Sequence, residues 1–213
     1  MIPNFLTHYY LRGSKPFLNI SELRDREWVE LAQILKEKHE SDETYNRRFG
    51  LGYRAVRLEV EKDLKKRFEA KGGKPERKAP HYFCLGASEW WKGFCQHDEI
   101  RIDLCGIDSS LVSFTYPDSF TSLGFLKRFG IQHESKPYHG QVFTLSEIKD
   151  VISEFGVPGN GYQTDYKSYH KEELELYVEA QLWSDEPIGK HLNKRSQPVV
   201  TPNSSPLVRR RVS

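Results

Sequence analysis

Helical periodicity in the first third and two-residue alternation later make this an α+β chain. The expected layout is one domain over residues 1–189, with mainly N-terminal helices and a mostly antiparallel, possibly split sheet. A basic, disordered tail is expected over 190–213. Residues 25–70 repeat apolar side chains at three- and four-residue spacing. Residues 174–183, L-E-L-Y-V-E-A-Q-L-W, alternate without a break, as a strand requires. From about Lys190 the chain turns polar, basic and Pro/Ser-containing, too poor in apolar residues to order itself.

The elements follow in order. Phe5–Tyr10 reads as a short aromatic strand, and Gly13 and Pro16 punctuate the turn after it. Asp25 can cap a helix to about Lys38, whose inner face holds Trp28, Leu31, Ala32 and Leu35. A second, charged helix is expected over about 44–70, with Tyr53, Val56, Val60, Leu64 and Phe68 as its stripe. Lys71-Gly72-Gly73-Lys74-Pro75 ends it, since glycine allows a left-handed exit and proline prevents continuation. His81–Leu85, Glu99–Leu104 and Leu111–Tyr116 read as strands. A short helical turn is expected at Ser88–Trp91, and another after Asp118 or Ser119. Thr144-Leu145-Ser146-Glu147 has capping-box spacing before Ile148, Val151, Ile152 and Phe155, and Gly156 and Pro158 stop that helix. Residues 157–170 form a Gly/Tyr-rich connection to the alternating strand.

Composition excludes several classes. The chain has 213 residues, 37% of them hydrophobic and 13% aromatic, so large rings must carry much of the core. Net charge is only +2, but it is unevenly spread. Residues 43–78 hold twelve Lys/Arg against six Asp/Glu, and residues 190–213 hold six Lys/Arg and no acid. Those basic stretches, with the Arg209–Arg211 run, can contact nucleic-acid phosphates, or they are a solvated helix and a flexible tail. Cys84, Cys95 and Cys105 form no disulfide framework, and Cys95-x-His97 is a poor zinc spacing, so buried thiols and no metal are expected. No run approaches the roughly 20 apolar residues of a membrane span, and no basic-then-apolar leader opens the chain. A cytoplasmic setting is expected.

Chemistry-bearing residues gather in three places. On the alternating strand, Tyr177, Glu179, Gln181 and Trp183 share one face. In a pocket Glu179 could bond a sugar hydroxyl or stabilise positive charge on a reacting carbon, while the rings stack on a flat ligand. A solvated outer face, or packing under a helix, is the competing reading. Thr7-His8-Tyr9-Tyr10 puts a titratable ring on the first strand, either for a ligand or bonded to a nearby carbonyl. Ser113 and Thr115 share a face of the middle strand, with Tyr116 opposite and Asp118 or Ser119 available as a helix cap. No G-x-S-x-G, G-x-G-x-x-G or phosphate-loop spacing occurs. Trp90, Trp91 and Trp183 could anchor a protein partner if exposed.

The order His8, Ser113-Phe114-Thr115, then Y-V-E-A-Q-L-W-S-D-E-P-I resembles the ADP-ribosyltransferase fold, and in its late strand the bacterial nucleic-acid ADP-ribosyltransferases. The resemblance implies NAD as the bound dinucleotide. His8 would hold the nicotinamide ribose or amide, Tyr9 or Tyr116 would stack on nicotinamide, and Glu179 would bond the ribose hydroxyl and support an oxocarbenium-like transition state. Ser113 and Gln181 would complete the site. The sequence departs from the family pattern at Tyr177, where a second acid or amide is usual, and at Ser113-Phe114-Thr115, where S-T-S is usual.

Overall fold

A computed structural model describes residues 2–41, 50–94, 97–158 and 175–192. The expected connection at 157–170 falls mostly outside them, as do the Arg209–Arg211 run and most of the 190–213 tail. The architecture is α+β. Strands β1 (Phe5–Leu11), β2 (His81–Leu85), β3 (His97–Asp103), β4 (Val112–Thr115) and β5 (Glu179–Leu182) form one sheet in the order β3-β1-β2-β5-β4. Every pairing is antiparallel, and the sheet is continuous, not split. The alternating segment pairs over only four residues, because the chain before Glu179 leaves the ladder after Val178 accepts from the Leu85 amide.

Register lines up Thr7, Cys84, Glu179 and Thr115 across four strands. Residues directly opposite one another point to the same side, so these four share a face. Their neighbours Leu6, Leu85, Phe83, Phe114 and Ala180 point to the other face. There they build the main core with Ile102, Val112, Val178 and Leu182. Each such fully buried aliphatic or aromatic side chain contributes about 1.5–3 kcal/mol of transfer free energy.

Helices cover both faces. Helix α1 (Asp25–Ser41) turns Trp28, Ala32 and Leu35 inward, while Leu31 stays half-buried. The Trp28 indole N–H donates to Leu51 O at 3.0 Å, and Arg54 reaches back to Asp25 at 2.7 Å. Helix α2 (Tyr53–Ala70) starts later than the periodicity suggests, after a turn at Leu51-Gly52. It lies on the Glu179 face, where Val60, Leu64 and Phe68 pack with Phe120, Val142 and Trp183. Helix α3 (Glu89–Phe94) links β2 to β3, and α4 (Ser119–Ser122) follows β4, capped by Asp118 on the Phe120 and Thr121 amides. Helix α5 (Leu145–Phe155) has the full capping box between Thr144 and Glu147, and buries Ile148 and Ile152 in the main core. Helix α6 (Gly189–Leu192) carries ordered structure a few residues past the expected boundary at 189.

The K-G-G-K segment leaves α2 as expected, with Gly72 at φ +86. Gly73 has a separate constraint: a Cβ there would sit 2.5 Å from the Phe68 ring. Gly73→Ala is therefore expected to lower stability by about 1–3 kcal/mol through overpacking. Urea unfolding would read this as a lower midpoint with an unchanged slope.

Candidate functional site

The second face of β5 is not solvated. Glu179, Gln181 and Trp183 are buried beneath α2 and α4, and Tyr177 is half-buried. Of the competing readings, packing under a helix describes the arrangement. The packing is unusually polar. The Trp183 indole donates to Ser113 Oγ at 2.9 Å, and the Ser113 hydroxyl donates to Gln181 Oε1 at 2.8 Å. The Gln181 amide donates to Glu179 Oε1 at 3.0 Å and to Thr115 Oγ1 at 3.2 Å. The Ser119 amide N–H at the start of α4 adds a bond to Glu179 Oε1 at 3.3 Å. A buried network of this kind fixes side-chain geometry when its members are satisfied.

The cation of the site comes from α2. Arg57 lies with its guanidinium carbon 4.5 Å from the Tyr82 ring centroid and 4.3 Å from that of Phe120. It donates to Tyr53 Oη at 2.7 Å and to Ser119 Oγ at 3.4 Å. One helical turn on, Glu61 is only 2% exposed and accepts from Ser21 Oγ at 2.7 Å and Tyr82 Oη at 3.0 Å. Burial raises the Glu179 carboxyl above the ordinary glutamate range; Arg57 opposes the shift and Asp118 adds to it. Burial raises Glu61 too, against bonds from Ser21 and Tyr82 and the charge of Arg57. A buried carboxylate with a specific charge partner, away from ordinary titration, marks a candidate functional centre.

Beside it stands a row of rings. Tyr9 stacks on Trp91 at 6.5 Å, and Trp91 meets Tyr177 at 5.8 Å. Tyr9 Oη accepts from the Ser88 amide at 3.0 Å, and burial pushes its pKa up to about 12. Thr7 Oγ1, wholly buried on this same face, has no hydrogen-bond partner among the described residues.

The structure therefore brings together Glu179, Gln181 and Ser113, places Tyr9 on the same face but linked to them only through Trp91 and Tyr177, and separates two others. His8 follows Thr7 by one residue and so points to the opposite face. There its ring stacks on Phe17 at 4.3 Å, Nδ1 bonds Tyr82 O at 2.8 Å, and Nε2 accepts the Phe17 amide at 3.0 Å. The expected joint use of His8 and Glu179 is corrected by that side change: both ring nitrogens serve local backbone. Tyr116 is likewise on the main-core face, against the Tyr138 ring at 4.5 Å, with its hydroxyl donating to Gly156 O at 3.2 Å. Neither side chain reaches Glu179. His8→Phe is expected to lower the melting temperature by several degrees, since two backbone partners lose their bonds. Ligand affinity at the Glu179 face should stay unchanged, as a parallel thermal scan and binding titration would show.

Arg57 and Glu61 escape a reading based on apolar stripes alone. The available clue was that positions 57, 61, 64 and 68 share one face of α2 at helical spacing, buried from Glu61 on, with two charges where apolar residues were due.

Other expected features separate in the same way. Among the basic residues of 43–78, Arg54 pairs with Asp25, Arg67 with Asp63, Lys71 with Glu147, and Arg77 with Glu22 and Asp185. Residues 43–49 lie outside the described residues. Trp90 and Trp183 are buried, and Trp91 is half-buried. Cys84 is buried, whereas Cys105 is exposed, contrary to the expectation of buried thiols. An open cleft of about 600 Å³ lies between the end of α2 and the start of α5, lined by Lys71, Gly72, Ser110, Ser146 and Lys149. It is remote from Glu179, and the chemistry of its lining is weaker: Glu147 already engages Lys71, at 2.8 Å. Among the described residues no helix is long and apolar enough to cross a membrane.

Comparison of the chain with family models, curated proteins and solved structures finds no match. The functional reading thus rests on the residues themselves.

Proposed function

We propose that this is a cytoplasmic ADP-ribosyltransferase-like protein that takes NAD at the face of β5 beneath α2. The observation carrying the proposal is that the buried Glu179 carboxylate and the Arg57 guanidinium meet on Ser119, whose amide donates to Glu179 at 3.3 Å and whose hydroxyl accepts from Arg57 at 3.4 Å, beside the half-buried rings of Tyr82 and Tyr177. These residue types suit the substrate. A carboxylate can accept from a ribose hydroxyl and stabilise positive charge growing on the anomeric carbon. A guanidinium offers paired donors to a diphosphate. The aromatic row offers faces for a planar ring. His8 has no part in this version of the site, and Tyr9 takes over the stacking role.

In the transfer, the bond between the anomeric carbon and the nicotinamide nitrogen breaks. Nicotinamide leaves with the bonding pair, and an acceptor oxygen or nitrogen forms the new bond and gives its proton to solvent. Glu179 acts electrostatically on the reacting carbon, while Gln181 and the Ser119 amide hold the carboxylate in place. Nucleic acid is the proposed acceptor, supported by the basic composition of residues 43–78 and of the tail with its Arg209–Arg211 run.

Nicotinamide release from NAD, followed with and without added DNA and RNA, tests the reading. Wild type should release nicotinamide and Glu179→Ala should not. Equal rates would remove Glu179 from the chemistry. Phosphate contacts further require that binding to nucleic acid weaken steeply as salt rises.

A further inference from the structure

We propose that β3 is a self-pairing edge, where two copies of this chain join their sheets antiparallel about a two-fold axis through Ile100. The proposal is independent of the NAD reading. Strand β3 lies at the outside of the sheet, paired with β1 over all seven of its residues, and among the described residues no strand covers its other side. The phase of that open side follows from the ladder. The Leu104 amide donates to Asn4 O at 2.9 Å, so every second residue back along β3, namely Ile102, Ile100 and Asp98, turns its backbone groups toward β1. Glu99, Arg101 and Asp103 turn theirs to the open edge. Natural sheets blunt such an edge with lysine, proline, a bulge or brevity. H-D-E-I-R-I-D holds no lysine or proline, its register with β1 is unbroken, and it is longer than β2, β4 or β5.

Charge selects the partner and the register. The outward backbone groups belong to odd-numbered residues, so an antiparallel pair of copies must set odd opposite odd. Centred on Ile100, that pairing puts Glu99 of one copy opposite Arg101 of the other, twice by symmetry. Both side chains are exposed, on one face of the strand, and lie 2.8 Å apart within one copy. Asp103 comes opposite His97. On the other face Ile100, half-buried against the main core, meets Ile100 of the second copy. Asp98, opposite Ile102, is already paired with Arg12 at 3.2 Å. Arg12 also donates to His97 O at 3.2 Å, so the new backbone bonds concentrate on Glu99 and Arg101. Centring the pair one residue earlier would set Glu99 against Glu99. One residue later, it would set Arg101 against Arg101 and Glu99 against Asp103. Like charges directly opposite destabilise a ladder and opposite charges stabilise it, so a second copy finds its matched register at Ile100.

Sedimentation velocity of the full chain reads the association. Its mass should double with concentration over roughly 1–100 μM, as suits a small interface. Glu99→Arg and Arg101→Glu each set like charges opposite one another, and each should weaken self-association at least about tenfold. Both positions are exposed, so circular dichroism should show the fold unchanged. Mixed in equal amounts, the two variants match their charges again, and the doubled mass should return at the concentration where wild type shows it. The double swap, Glu99→Arg with Arg101→Glu in one chain, should likewise restore self-association. Wild type that stays monomeric throughout that range, a dimer indifferent to both single substitutions, or a mixture and double swap that both stay monomeric would each overturn the proposal.

Discussion

Arg57→Met is expected to destabilise the protein by about 1–3 kcal/mol, since Tyr53 and Ser119 lose a charged donor and two rings lose the cation between them. The methionine can fill the slot between the Tyr82 and Phe120 rings, so the loss is electrostatic and not a cavity effect. Glu179 and Glu61 lose the favourable charge of Arg57, and Tyr53 and Ser119 lose a donor. Arg57→Lys should rescue little, because an ammonium lacks the planar fork that lies between two rings and reaches two oxygens. Chemical denaturation of the three proteins would measure this. The coupling is testable too. If Arg57 works by neutralising the carboxylates, adding Glu179→Gln to Arg57→Met should recover part of the loss, giving a non-additive double-mutant cycle. Strict additivity would mean that the charges act independently.

Glu179→Gln alone should move stability the other way, by about 1–3 kcal/mol in favour of the variant at neutral pH. The sign follows from the shift. Burial raises the folded carboxyl above the ordinary glutamate value of 4.5, so the folded state holds the proton more tightly than the unfolded chain does. The stability Glu179 contributes is therefore complete below that value and is lost as pH rises through the raised folded pKa. Glutamine resembles the protonated form: its oxygen can still accept from Ser119 and Gln181, and it carries no charge to desolvate. Wild type and variant should thus have nearly equal stability at about pH 4 and diverge as pH increases. Nicotinamide release by the variant should vanish over the same range. A variant more stable yet inactive is the pattern of a residue kept for chemistry at the expense of the fold. A destabilised variant at neutral pH would assign Glu179 to architecture.

Much of the frame was readable in advance, and the reasons differ by element. Helix α5 was bounded by its own side chains, because the Thr144–Glu147 box is a local structure that needs no tertiary partner. Strands β1 and β2 were recognisable from short aromatic and branched runs. What escaped was phase. Alternation alone separates His8 from Thr7 and Tyr9, but only the pairing of Thr7 with Cys84, and of Cys84 with Glu179, decides which set shares a face with the carboxylate. A one-residue change in register would exchange them. The start of α2 escaped for a related reason: charge and periodicity run back toward residue 44, while the turn at Leu51-Gly52 fixes where the helix begins. Arg57 and Glu61 were hidden because helical patterning is read from apolar residues, and here two charged ones occupy the inner line.

The position of β5 has a consequence for biosynthesis. Among the described strands it is the last in the chain, yet it sits between β2 and β4 and joins them. While the chain is being made, β1, β2 and β3 can assemble as a three-stranded unit, but β4 has no neighbouring strand until residues 179–182 leave the ribosome. Helix α2, made early, has until then no polar floor for Arg57 and no Trp183 to pack against Phe68. Ribosome-bound chains stalled before Glu179 should therefore remain open to protease along α2 and β4, and protection should arrive in one step once β5 has emerged.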